Sequence, residues 1–101
     1  MPSLFEPCGL NQLYSQVYGS IPIVSRVGGL KDSVVENKTG FVFEAGLEHS
    51  LNYALERAFS LYQNPEEFYT MRKRIMQIDW SWKNGLEALD KIYKRALAVN
   101  I

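Results

Sequence analysis

Apolar positions follow two different periods along the chain, and the change between them separates its first half from its second. From Gly9 to Tyr18, Leu10, Leu13, Tyr14 and Val17 fall at spacings of 3, 1 and 3. This is one face of a helix, which Gly19 ends. Ile21-Pro22-Ile23-Val24-Ser25 is a short, almost wholly apolar run rich in β-branching, and it predicts a strand buried on both faces in a parallel sheet. A helix followed by a buried strand is the second half of a βαβ unit, whose first strand is expected to end near Met1 to Leu4. Gly28-Gly29 reads as a turn where side chains must be absent. Lys38-Thr39-Gly40 reads as another, before an edge or final strand at Phe41-Val42-Phe43.

After residue 45 the period becomes helical throughout. Leu47, Leu51, Ala54, Leu55, Ala58, Leu61 and Tyr62 trace one stripe. Gln63-Asn64-Pro65-Glu66-Glu67 closes it and opens the next helix: Asn64 suits the N-cap, Pro65 the first helical position, and the glutamates the positive helix end. Phe68, Met71, Ile75 and Ile78 follow at spacings of 3, 4 and 3. A further helix starts after Ser81 and carries Trp82, Leu86, Leu89, Tyr93 and Leu97. The fold class expected is α/β, with short parallel strands and helices over residues 1 to 45 and about three α-helices over 46 to 101.

Composition narrows the function classes. A chain of 101 residues with 47% hydrophobic and 13% aromatic content is globular and forms at most one domain. Eleven basic and eleven acidic side chains balance, so no net field would hold nucleic acid or a membrane surface. Cys8 is the single cysteine and His49 the single histidine, too few for a disulfide or a Cys/His metal site, which points to a reducing, cytoplasmic setting. Neither a membrane span nor a secretion leader is read from the sequence. The specialised residues come within ten positions of Met1, so the chain is expected to be a piece of something larger.

Those residues suggest a ligand. A helix opening at Gly9 would present the N–H groups of Gly9, Leu10 and Asn11 at the carboxyl end of the sheet, where open α/β folds bind ligands and helix starts favour phosphate. Gly9 lacks a Cβ and lets a ligand approach the backbone. Glu6 would repel a nearby phosphate, so it makes better sense as an acceptor for hydroxyl groups. A sugar attached to a diphosphate satisfies both halves.

The stretch FEPCGLNQLYSQVYGSIPIVSRVGGLKDSV resembles the C-terminal active-site half of bacterial glycogen synthases and plant starch synthases, retaining glycosyltransferases with two Rossmann-type domains. TGFVF, the helix trio and DWSW extend the resemblance over essentially the whole chain. It implies the C-terminal half of a Rossmann-like glycosyltransferase domain, with the upstream half of the sheet and the N-terminal domain outside this sequence. It also implies that Glu6, the catalytic-site residue, contacts hydroxyls of the donor glucose, and that the backbone at Cys8, Gly9, Leu10 and Asn11 lies against sugar and diphosphate. Gly28 and Gly29 would shape the site. Tyr14 stands where related transferases place a ribose-binding glutamate, which fits the glycogen and starch synthase branch. The implied reaction transfers glucose from ADP-glucose to the 4-hydroxyl at the end of an α-1,4-glucan, with retention and without metal or cofactor. The basic residues that clamp the diphosphate, and the acceptor-side domain, would lie upstream.

Structural readings stand beside the functional ones. Cys8 is expected to be a small packed hydrophobe, His49 a surface or partly packed residue, Arg72-Lys73-Arg74 a solvated helix face, and Trp80 and Trp82 packing anchors. Two alternatives accompany the synthase reading. One is an inactive fragment or interaction module that needs an N-terminal partner chain; an unpaired strand edge and uncovered apolar faces at Met1 to Leu4 and Ile21 to Val24 would favour it. The other is a related retaining transferase that uses UDP-glucose.

Overall fold

The computed structural model describes residues 1–99 of the chain, without the side chains of Trp82 and Asn84. Two strands, β1 (Ile23–Ser25) and β2 (Phe41–Phe43), pair in parallel with Ile23 opposite Phe41, Val24 opposite Val42 and Ser25 opposite Phe43. A parallel pair needs a crossover, and residues 26 to 40 supply it with a short helix, α2 (Gly28–Ser33). Pro22 has no N–H to give the ladder, yet its carbonyl accepts from Phe41 N at 3.0 Å, which explains why the strand proper begins one residue later than the apolar run.

Alternation along these strands builds two cores. Phe41 and Phe43 point to one face, where they meet Ala54, Met71 and Ile75; Val24 and Val42 point to the other, with Leu30 and Val34. The sheet is therefore buried on both faces, as the β-branched run predicts. Residues 1 to 3 lie along the other edge of β1. Met1 N donates to Ile23 O at 2.8 Å, Ser25 N to Met1 O at 3.0 Å, and the Ser25 hydroxyl to Ser3 O at 2.6 Å. The expected first strand is thus present as an extended, hydrogen-bonded segment, while the sheet itself has two strands. Ile21–Val24 lies between β2 and residues 1 to 3, whereas residues 1 to 3 are bonded on that one side only among the described residues, with Leu4 exposed beside them.

The helices after residue 45 match the sequence pattern closely. Helix α3 (Glu48–Tyr62) turns Leu51, Ala54, Ala58 and Leu61 toward the sheet. Helix α4 (Pro65–Met76) starts with Asn64 at its N-cap, whose side chain accepts from Glu67 N, and with Pro65 in the first turn; it buries Met71 and Ile75. Helix α5 (Trp82–Val99) keeps the expected spacing but not the expected packing. Leu86, Leu89, Ile92, Tyr93 and Leu97 are all exposed along it. The radius of gyration is 16.5 Å, against about 13 Å for a compact chain of this length, because the molecule extends to 57 Å along its long axis. No helix among the described residues is long and apolar enough to cross a membrane.

Two expectations need correcting. The glycine pair opens a helix rather than a simple turn. Glycine is the weakest helix former after proline, so propensity gave no hint of α2, which is held by Leu30 in the core and by Ser33 Oγ donating to Gly29 O at 2.8 Å. Helix α1 (Asn11–Val17) exists, but its apolar stripe does not face the core. Leu10, Tyr14 and Val17 are each more than half exposed, and the residues it buries are Gln12 and Gln16.

Candidate functional site

The segment from Glu6 to Asn11 passes directly over the start of α2, and the glycine pair is what allows this. Gly28 has φ +46°, and a Cβ there would lie 1.7 Å from the carbonyl oxygen of Glu6. A Cβ on Gly29 would lie 2.2 Å from Cys8 O. Both glycines therefore meet backbone, which cannot swing aside as a side chain could, and Gly29 N donates to Glu6 O at 3.1 Å. The two motifs, 22 residues apart from Glu6 to Gly28 in sequence, form one tightly packed unit. Glu6, Cys8, Gly28 and Gly29 lie together in this unit.

The turn itself has a specific form. Gly9 has φ +72°, a left-handed conformation that favours glycine. A Cβ on Gly9 would lie 2.8 Å from Gln12 Oε1 and 3.1 Å from Glu6 Cγ, so the residue is gripped between two side chains. Glu6 is half-buried, and its Oε2 accepts from the Ser3 hydroxyl at 3.2 Å. Among the described residues Glu6 has no cationic partner. Leu10 is the N-cap of α1 and offers no side-chain cap, and the N–H groups of Gly9, Leu10 and Asn11 find no acceptor among the described residues. A row of free donors beside a carboxylate can receive a ligand that is anionic at one end and rich in hydroxyl groups at the other.

Cys8 departs from expectation. Its side chain is exposed, because it is the Cys8 backbone that Gly29 packs against.

Sequence reasoning missed a buried polar cluster beneath the turn. Gln12 Nε2 lies 3.1 Å from Cys8 O, 2.9 Å from Gly9 O and 3.1 Å from Ser33 Oγ. One helical turn on, Gln16 Nε2 donates to Ser33 O at 3.2 Å, and Gln16 Oε1 accepts from the Trp80 indole N–H at 3.1 Å. A signal existed in the sequence: Gln12 and Gln16 stand four apart, hence on one helix face, opposite the apolar stripe. Trp80, itself exposed, ties to α1 through this hydrogen bond rather than by packing its ring in a core; the side chain of Trp82 lies outside the described residues. His49 is exposed. The basic run divides its work: Lys73 is exposed, Arg72 Nε donates to Gly19 O at 2.9 Å, and Arg74 Nη1 to Lys38 O at 2.8 Å. Lys73 and Arg74 lie on the solvated face that the sequence predicts, Arg74 also bonding across it, while the partly buried Arg72 is a tie between elements.

A second polar constellation lies on the outer edge of β2. Glu36 Oε2 accepts from Val42 N at 2.6 Å, its Oε1 pairs with Arg57 Nη1, and the guanidinium stacks 4.7 Å from the Tyr53 ring and 5.6 Å from that of Phe41. This arrangement occupies an otherwise free strand edge, a structural task. No group of three or more His, Cys, Asp or Glu side chains comes together among the described residues.

Comparison with known proteins bears on the sequence and the fold. No family model matches the chain. The glycogen synthase of Leptospira biflexa is 55% identical over 102 residues, covering 96% of this chain and 21% of that protein. The glycogen synthase of Haemophilus influenzae is 41% identical, over 94% of this chain and 22% of its own length. Among solved structures, the catalytic domain of starch synthase IV from Arabidopsis thaliana, bound to ADP and acarbose, matches 96% of this chain and 22% of its own, with 39% identity and a TM-score of 0.80. Sucrose-phosphate synthase from Thermosynechococcus elongatus matches with 25% identity and a TM-score of 0.66. The chain spans about a fifth of the length of the curated relatives it matches. In sequence and in fold, the chain is a homologue of the glycogen and starch synthases and corresponds to about a fifth of such a protein.

Proposed function

We propose that this chain is the donor-binding part of a glycogen or starch synthase, which transfers glucose from ADP-glucose to the non-reducing end of an α-1,4-glucan with retention. The observation that carries this reading is the packed unit of Glu6, Cys8, Gly9, Gly28 and Gly29 in a chain 55% identical to a glycogen synthase. The neighbouring starch synthase structure, bound to ADP and acarbose, supports a nucleotide and a glucan-like molecule as ligands. In this reading residues 1 to 45 are the donor-site part and 46 to 101 the helical part of a single partial domain in a cytoplasmic enzyme. Its diphosphate clamp and acceptor-side domain belong to the N-terminal part.

The chemistry divides between backbone and side chain. Breaking the bond between glucose and diphosphate leaves negative charge on the departing phosphate and an oxocarbenium-like sugar. Fixed N–H donors stabilise the first without reorganising during the reaction. Gly9, Leu10 and Asn11 supply such donors. Glu6 accepts hydrogen bonds from the glucose hydroxyls and so holds the anomeric carbon in line. Gly28 and Gly29 keep the turn at the height this requires.

Titration calorimetry with ADP-glucose, ADP and UDP-glucose, with Glu6→Ala alongside, tests the reading. ADP-glucose binding that falls about tenfold or more in the variant is expected, since a lost hydrogen bond at a polar site is worth about that much or more. Equal binding of UDP-glucose would move the chain to the UDP-sugar transferases. A folded chain that binds none of the three would favour the second reading, a segment inactive until it docks on its N-terminal part. The exposed apolar rows of α1 and α5 support that reading.

A further inference from the structure

We propose that Gln12 is the positioning residue of the Glu6–Asn11 turn: its carboxamide sets the direction of the very N–H groups that receive the ligand. Gln12 is 1% exposed, and its Nε2 carries two hydrogens with three acceptors in reach. The Ser33 hydroxyl spends its own proton on Gly29 O at 2.8 Å, so it accepts one of them. The other is shared between Cys8 O at 3.1 Å and Gly9 O at 2.9 Å. The reverse orientation of the amide would set Oε1 against those two carbonyl oxygens, so the direction is fixed. Oε1 remains buried without a partner, beside the place a Gly9 Cβ would take.

The effect on the turn follows from peptide geometry. In a planar trans peptide the N–H points opposite to the C=O of the same unit. The carbonyl of Cys8 shares its plane with the N–H of Gly9, and the carbonyl of Gly9 with the N–H of Leu10. Holding both oxygens inward on one amide nitrogen therefore turns both N–H groups outward, where neither finds an acceptor among the described residues. Gln12 touches no ligand in this scheme. It acts through two peptide planes. The link to the ligand rests on the donor-site reading above; the link to the turn does not.

The test compares Gln12→Met, which keeps the length of the side chain and removes its donors, with Gln16→Met, which breaks an equally buried carboxamide one turn away. Amide shifts of Gly9 and Leu10 are followed by 15N NMR on the full chain, and ADP affinity by calorimetry. In Gln12→Met the two amide shifts are expected to move, and ADP affinity to fall by about tenfold to a hundredfold, the range for misplacing a group by an ångström or less. In Gln16→Met both readouts are expected to stay near the parent values despite a similar loss of melting temperature. Ser33→Ala, a milder change to the same clamp, is expected to shift the same two amides and covers the case in which Gln12→Met fails to fold. Unmoved Gly9 and Leu10 amides in Gln12→Met, or in Ser33→Ala if that variant alone folds, overturn the proposal. So do equal effects from the two glutamines. If the parent chain binds no ADP, the donor-site reading loses its support, and the amide readout alone decides the role of Gln12.

Discussion

Helices α1 and α4 carry the same kind of sequence signal and put it to opposite use. In α4 the apolar row is the buried row: Met71 and Ile75 enter the core beside Phe41 and Phe43. In α1 the apolar row of Leu10, Tyr14 and Val17 faces outward, and the chain buries Gln12 and Gln16 instead. The difference lies in what each helix rests on. Helix α4 packs against α3 and α1 and turns Met71 and Ile75 into the cluster of Phe41, Phe43 and Ala54, which offers them only apolar contact. Helix α1 lies over the backbone of residues 8 to 9 and the end of α2, whose carbonyls and serine hydroxyl would go unsatisfied against leucine. An amphipathic pattern therefore identifies a helix, but the neighbour decides which face is inside.

The largest expected effect comes from the surface on which α1 depends. Gly28→Ala would drive a Cβ to 1.7 Å from Glu6 O, a clash with backbone that only movement of the whole turn can relieve, in a residue already at φ +46°. A loss of about 3 kcal/mol or more is expected, large enough to consume much of a small domain's stability. Chemical denaturation should show the variant unfolded or nearly so. A variant with parent-like stability would mean that the turn and α2 are not rigidly packed.

The comparison of the two helices can be broken directly with a pair of truncations. Ile75, fully buried in α4, should lose about 2–5 kcal/mol when changed to Ala. Tyr14, 57% exposed in α1, should change by no more than about 0.5 kcal/mol. Matching losses in urea melts would show that the outer face of α1 is covered in solution. That outcome would also point to self-association, which sedimentation at two concentrations would detect.

How far the sequence could be read follows the same division. Asn64 and Pro65 announced α4, and the β-branched run at Ile21 to Ser25 announced a strand with both faces covered, because these signals are local and the structure uses them locally. The glycine pair was rightly taken as a place for missing side chains, but its reason is a contact 22 residues away, from Glu6 to Gly28, and no local rule reveals that it also starts a helix. The exposure of Cys8 has the same origin, since long-range backbone packing determined which part of that residue is used. Gln12 and Gln16 were passed over because a polar residue on a helix is ordinarily solvated, and only the polar floor beneath α1 reverses that. The positions of Glu6, Gly9 and the glycine pair were legible through their motif. The buried carboxamide of Gln12 beneath the Cys8 and Gly9 carbonyls was not.

The smallest expected effect concerns the junction that joins the two helices. Trp80, between α4 and α5, donates to Gln16 of α1, and the turn that carries it is held by Asp79. The Ser81 hydroxyl, then the Ser81 N–H at 2.8 Å and the charge of Lys83, keep the Asp79 carboxyl below its usual value near 3.8. Because folding favours the ionised form, the stabilisation is complete above that usual value and fades as pH falls through the lowered one. The group is fully exposed, so global stability should hardly change. The local readout is the Ser81 amide shift, with the Trp80 indole N–H beside it. Both should begin to move only below about pH 4, and Asp79→Asn should remove the transition. If the indole signal stays fixed while the Ser81 amide titrates, Trp80 is held by Gln16 alone, and the polar floor of α1 is independent of the end of α4.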